Sequence, residues 1–245
     1  MIADLSGVAI VMVHPKYPEN IGAAARIACN FGISELIVVS SKGYDQAAMA
    51  KMATHKARHI VEGISYYDSL AEAVGRFSII VGTTARSGRQ RSTEKSPRDI
   101  IERIGPDLAA NRTAFLFGRE DSGLTNDELK YCHYNSSIPT ADFSSLNLAQ
   151  AVAIHCHELY YHLIHTPKRS AKGPKLASSF ELEGMYSHVE AALTEINFLE
   201  ETNHRYWMTS IRKFFSRIRL TSKDSQIIRG ICRQFIGYQR QRRKQ

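Results

Sequence analysis

"FLFGREDSGLT", residues Phe115 to Thr125, opens with large apolar residues that do not alternate with polar ones. Such a run reads as a strand buried on both faces, the kind found in parallel sheets. The strand runs into a loop in which an arginine and two acids stand between Gly118 and Gly123. Glycine at both positions permits positive φ and close approach of backbone to a ligand. "TNDE", Thr125 to Glu128, then has the form of a capping box that opens a short helix. Strand, chemically loaded loop and helix together make the repeating unit of an α/β domain.

The unit recurs on both sides. Val8 to Val13 reads as a buried strand, Glu19 to Phe31 as a helix stopped by Gly32, and Glu35 to Val39 as a second strand. Ser69 to Arg76 is helical and Ser78 to Thr83 a strand, after which Ser96 caps a helix with Pro97 at its first position. Tyr134 to Ile138 is the last strand and Leu146 to His165 the last long helix. The expected fold is α/β with a mostly parallel sheet over residues 1–165. In such sheets ligands sit outside the carboxyl ends of the strands. Three loops there are candidates for one pocket: "GTTARSGRQRS" after Val81, "GREDSGL" after Phe117 and "PTADFSSLNL" after Ile138.

Charge divides the chain. Residues 1–165 hold 16 Lys and Arg against 17 Asp and Glu, whereas residues 166–245 hold 16 against 7. From Arg205 onward there are twelve basic residues and a single acid, Asp224. A field of that sign attracts polyanions, of which nucleic acid is the commonest in a cell. The stretch 166–178 has prolines, a glycine and small polar residues with no apolar period, and reads as a linker. Residues 179–245 are expected to form a basic extension of three helices: about 178–197, opened by a Ser178/Glu181 capping box, 206–217 and 222–240. In the last of these, Ile227, Ile228, Ile231, Phe235 and Ile236 form an apolar stripe, which would leave Arg229, Arg233 and Arg240 outward.

Several function classes fail on spacing. GxGxxG and GxxxxGK[ST] are both absent, which removes the usual dinucleotide and phosphate-loop folds. In "HCHELYYHLIH", His157 and His162 stand five apart, about 140° around a helix, and cannot share a metal as the HExxH histidines do. His155, Glu158, His162 and His165 form a polar stripe opposite Val152 and Cys156, which suits a helix face or subunit contact and leaves no metal expected. The four cysteines have no CxxC pairing and read as reduced thiols. No apolar run reaches the ~18 residues of a membrane span, so the expected location is the cytoplasm.

"NIGAAAR" (Asn20 to Arg26), "FLFGREDSGLT" and "IPTADFSSLNLAQAV" (Ile138 to Val152) occur in the order found in the SPOUT superfamily of knotted methyltransferases, and resemble the signatures of its TrmH-like ribose 2′-O branch. The tail, with "IRKFFSRIRL" and "SQIIRGICRQF", further resembles the TrmJ family of tRNA methyltransferases acting on the nucleotide that opens the anticodon loop, cytidine or uridine at position 32.

The resemblance implies a trefoil knot at the end of the α/β domain, a homodimer, tRNA as partner, and S-adenosylmethionine as cofactor. By position, Thr83, Thr84, Ala85, Gly118, Ile138, Ser144, Ser145 and Leu146 would line the cofactor site. Arg26 would be catalytic, as base or as stabiliser of the developing alkoxide, with Asn20, Glu120, Ser145 and Asn147 around it. Glu120 is either a carboxylate beside the cofactor or the partner of Arg119 in a loop ion pair. RNA contacts are expected at Arg86, Arg89 and Arg91 and, in the tail, at Arg212, Lys213, Arg217 and Arg219. The chain departs from close TrmJ relatives at Phe143, where tyrosine is common, and around residues 88–95. A ribosomal-RNA ribose methyltransferase and a non-catalytic RNA-binding protein of the same fold are the alternatives.

Overall fold

A computed structural model describes residues 4–85, 95–142, 144–166 and 173–242. The chain divides into two compact units, Met1–Gly173 and Pro174–Gln245.

In the first unit, strands β1 (Val8–Val13), β2 (Glu35–Val39), β3 (Ser65–Tyr67), β4 (Ile79–Thr83), β5 (Thr113–Phe117) and β6 (Tyr134–Ser136) form one sheet in the order β3-β2-β1-β5-β4-β6. Every pair is parallel. All six carboxyl ends therefore lie along one edge. The parallel character comes from the unbroken apolar runs: β1 and β5 are buried at every position. One face of the sheet is covered by α4 (Leu70–Val74) and α6 (Asn126–Leu129), where Val11, Ile37, Phe77, Ile80, Leu116 and Leu124 make a continuous core. On the other, α1 (Pro18–Phe31) packs against α2 (Gln46–Ala53) and α7 (Leu148–His165), and α7 against α5 (Pro97–Ile104).

The expected caps form. Ser96 with Asp99 and Thr125 with Glu128 make reciprocal capping boxes, and Gly32 ends α1 at φ 73°. The sequence reading omitted α2, α3 (Arg58–Glu62) and β3. A sign of α2 was present at Gly22, where a Cβ would lie 2.1 Å from the Met49 carbonyl oxygen, so the helices meet backbone to backbone. The last strand is shorter than expected, ending at Ser136.

β6 is gripped from both edges. On one, it pairs with β4 and the Ser136 carbonyl accepts from Thr84 N at 2.9 Å. On the other, Lys95 N donates to the Asn135 carbonyl at 3.2 Å and Ser137 N to the Lys95 carbonyl at 2.9 Å. Successive residues of a strand direct their backbone groups to opposite edges, so Thr84 and Lys95 lie on opposite edges of β6.

His155 was expected on the polar stripe of α7, and it is instead buried at 2% exposure, against Phe115 and Phe117. Its place in the core is possible because both ring nitrogens are satisfied. Nδ1–H donates to the Ala151 carbonyl, which leaves Nε2 to accept from the Ser136 hydroxyl, each at 2.8 Å. Burial lowers its pKa from 6.5 to about 4. Between these values the unfolded chain takes up a proton that the folded chain refuses, so stability falls as pH drops from 6.5 toward 4. The loss is on the order of 3 kcal/mol at most. Urea midpoints at pH 7 and pH 4.5 should separate more in the native chain than in His155→Asn, and equal separations would show that His155 has no part in the acid response.

In the second unit, α8 (Ser179–Glu195), α9 (His204–Ser216) and α10 (Ser222–Arg242) pack around Met185, Tyr186, Leu199 and Met208. Ser178 and Glu181 form the expected capping box. The expected seam of α10 is corrected. Ile227 and Ile231 are exposed, at 51% and 65%, while Ser225, Ile228 and Cys232 face inward. Arg229 is half-buried, its guanidinium carbon 3.6 Å from where a Cβ on Gly184 would stand. The missing side chain at Gly184 makes room for it. The side chain of Arg240 lies outside the described residues.

Candidate active site

The carboxyl edge of β1, β5, β4 and β6 presents the start of α1 and the described parts of the three loops selected from the sequence. β1 leaves the sheet at His14, a non-glycine residue at φ 50°, and turns through Pro15–Tyr17 into α1. That turn is held from outside itself. Glu120, in the loop after β5, accepts from Lys16 N at 2.8 Å and Tyr17 N at 3.4 Å, satisfying donors just before α1 that no cap side chain reaches. Tyr44 Oη donates to the Pro15 carbonyl at 2.8 Å.

From Glu120 a chain of hydrogen bonds runs to α7. Asn20 Nδ2 donates to Glu120 Oε1 at 2.7 Å, and Asn147 Nδ2 donates to Asn20 Oδ1 at 3.2 Å. Asn147 Oδ1 caps α7 by accepting from Ala149 N at 2.9 Å and Gln150 N at 3.4 Å. The start of α1 is thus joined, through two amides and one carboxylate, to segments 100 and 127 residues further along the chain. The alternative reading of Glu120 does not hold: Arg119 makes a two-pronged pair with Asp121, both contacts at 3.0 Å.

Arg26 lies six residues beyond Asn20 on α1, outside that network. It is exposed, with no hydrogen-bond or ion-pair partner among the described residues. Thr83 is half-buried and its hydroxyl donates to the Leu116 carbonyl at 2.9 Å, tying β4 to β5. Ala85 is exposed and Thr84 half-buried. Ile138 and Leu146 are half-buried, and Ser144 and Ser145 are exposed with hydroxyls that have no partner among the described residues. Arg86, Arg89, Arg91, Phe143 and residues 88–94 lie outside the described residues.

Gly118 has a local explanation. A Cβ there would lie 2.3 Å from the carbonyl carbon of Gly123 and from Leu124 N, because the loop closes on itself through an Arg119–Gly123 bridge with Gly123 at φ 64°. Gly118→Ala is therefore expected to destabilise the ligand-free protein by about 1–3 kcal/mol or more, read as a lowered urea midpoint. An unchanged midpoint would return Gly118 to a purely ligand-facing role.

In the second unit Lys213, Arg217 and Arg219 are exposed. Arg212 is not a free cation: it pairs with Glu183 through both terminal nitrogens at 2.5 and 2.6 Å, and lies 4.3 Å from the Tyr186 ring centroid. Burial pushes the Tyr186 phenol up to about 12. No group of three or more metal-ligating side chains occurs among the described residues, and no described helix is long and apolar enough to cross a membrane.

Comparison with known proteins accounts for both units. The profile of the SpoU rRNA Methylase family matches residues 7–157, and that of the C-terminal domain of the tRNA methyltransferase TrmJ matches residues 180–245. The chain is 33% identical over 242 residues to the tRNA (cytidine/uridine/adenosine-2′-O-)-methyltransferase TrmJ of Pseudomonas aeruginosa, covering 93% of each. It is 32% identical to the tRNA (cytidine/uridine-2′-O-)-methyltransferase TrmJ of Pectobacterium atrosepticum, covering 93% of this chain and 95% of that one. The crystal structure of TrmJ from Z. mobilis superposes with a TM-score of 0.79 at 26% identity, over 92% of this chain and 97% of that one. The chain belongs to the SpoU methylase family, in the TrmJ branch, its two units matching the two profiles in turn.

Proposed function

We propose that this protein transfers a methyl group from S-adenosylmethionine to the ribose 2′-hydroxyl of a tRNA nucleotide, the cytidine or uridine that opens the anticodon loop. The observation that carries the reading is the Glu120–Asn20–Asn147 chain, which fixes the start of α1 against two loops of the carboxyl edge and leaves Arg26 without a partner among the described residues. TrmJ relatives named for tRNA ribose methylation, matching over 93% of the chain, support the same reaction. The second unit favours tRNA over the ribosomal RNA of the family's description, since it matches the TrmJ C-terminal domain. Retention of Arg26, Glu120 and Asn147 argues against a binding-only protein.

The residues present fit the cofactor. Ile138 and Leu146 offer apolar surface for a purine, and the exposed hydroxyls of Ser144 and Ser145 offer polar contacts beside it. When bound, S-adenosylmethionine supplies an electrophilic methyl on a sulfonium whose departure leaves a neutral thioether. Asn20 and Asn147 use their amides within the protein, and so position elements instead of touching the reacting oxygen. Arg26 is left to hold the 2′-oxygen as its negative charge develops. A guanidinium keeps its protons in proteins, so it donates to the alkoxide while the proton passes to water or an RNA phosphate.

The same reading includes four further elements. The positions of Thr84 and Lys95 on opposite edges of β6 support a trefoil knot. The exposed Tyr161 and Ile164 of α7 support a homodimer. Residues 1–165 are read as the catalytic domain, 166–178 as the linker and 179–245 as the tRNA-binding extension, and a tRNA substrate supports a location in the cytoplasm. The test is mass mapping of 2′-O-methyl nucleotides in RNA from cells with and without the protein. Loss at the first anticodon-loop nucleotide is expected, and loss confined to ribosomal RNA, or none, overturns the assignment.

A further inference from the structure

Helix α9 carries large rings outside the core. Tyr206, Trp207 and Phe214 are 69%, 36% and 58% exposed. At about 100° per residue, Trp207 and Phe214 fall on one narrow stripe of α9. Tyr206, Lys213 and Arg217 fall on the next, further from the inward-facing Met208, Ile211 and Phe215.

The rings are braced. Phe198 lies 4.8 Å from Trp207, Tyr206 meets Trp207 edge-on at 5.3 Å, and Phe214 meets the partly buried Phe215 edge-on at 5.3 Å. The Lys213 and Arg217 side chains have no partner among the described residues. Two occupants suit exposed rings: a second protein surface or nucleic-acid bases. Charge decides between them. Twelve basic residues and one acid from Arg205 onward repel a second copy and attract a polyanion. Every base has a π face, so rings interleaved with cations hold unpaired nucleotides whatever their sequence. Duplex bases, already stacked, cannot use them.

We propose that this face of α9 is a stacking platform for unpaired RNA bases, with Lys213 and Arg217 holding the flanking phosphates. The inference rests on the RNA-substrate reading and goes beyond it, because it makes the single-stranded loop, and not the paired stem, what the second unit recognises.

Trp207 is the only tryptophan in the chain, so its fluorescence reports directly. The full chain is titrated with an RNA hairpin bearing an unpaired loop and with a fully paired duplex of equal phosphate count. The hairpin should quench Trp207 to saturation and the duplex should not. Phe214→Ala should weaken hairpin binding about tenfold with no change in salt dependence. Lys213→Ala should instead flatten the log–log salt slope by roughly 0.7–0.9. Equal quenching by the duplex, or full hairpin affinity in Phe214→Ala, overturns the platform. So does a quench that follows protein concentration without RNA and vanishes in a Phe214→Ala monomer, which would make the face an interface between copies. If wild-type protein methylates tRNA and Phe214→Ala matches it in binding, the platform alone fails. If wild-type protein binds neither RNA, both readings fail.

Discussion

Arg26→Ala is expected to slow single-turnover methyl transfer by about two orders of magnitude or more while S-adenosylmethionine affinity, measured by calorimetry, changes little. The split follows from the residue's position. Arg26 is exposed on α1 and has no partner among the described residues, so its removal should not disturb the Glu120–Asn20–Asn147 chain or the fold. What is lost is a donor at the oxygen that becomes negative, an interaction stronger in the transition state than in the ground state. Arg26→Lys should recover little, since an ammonium lacks the planar fork that fixes donors on one oxygen. A near-normal rate in either variant would end the assignment. Loss of cofactor affinity in step with rate would make Arg26 a binding residue instead.

The same chain explains why Glu120 differs from Arg26. Glu120→Gln keeps one acceptor oxygen but replaces the other with a donor facing either backbone N–H groups or the Asn20 amide. Its effect should appear first in stability and only then in rate.

What the sequence revealed depended on how each residue is satisfied. The strands were legible because β1, β4 and β5 are apolar runs cut by glycine or polar loops. Helix starts were legible because Ser96, Thr125 and Ser178 cap locally, within three residues. β3 and α2 were not, because "SYY" is short and half-exposed, and the inward residues of α2 are little more than Met49 and Ala53. Two errors share a cause. His155 and Arg229 carry polar groups and were placed outward, but Ser136 accommodates the first and the space at Gly184 the second. Those partners lie 19 and 45 residues away, on other elements, where periodicity cannot reach. The same holds for the site. Asn20, Glu120 and Asn147 were selected by motif, yet their joining into one hydrogen-bonded chain is a property of sheet order alone.

The largest effect on substrate binding is expected from shortening the chain to end at Gly173. The sheet and its core lie wholly within the first unit, so the shortened protein should fold and retain cofactor affinity. Its tRNA affinity should fall on the order of a thousandfold at low salt, because six of the chain's eight net positive charges lie beyond Gly173. Charge reversal in the full chain locates the loss more finely, and there the choice of residue matters. Reversing Arg212 would leave Glu183 facing a second acid beside Tyr186, and would destabilise the helical unit by about 2 kcal/mol or more whether or not RNA touches it. Lys213 and Arg217 have no such internal duty. Lys213→Glu with Arg217→Glu should weaken tRNA binding and lower the salt slope while the unfolding midpoint stays near that of the native protein. Efficient tRNA methylation by the shortened chain at physiological salt would mean that the loops of the first unit suffice for recognition, and the helical unit would then need another role.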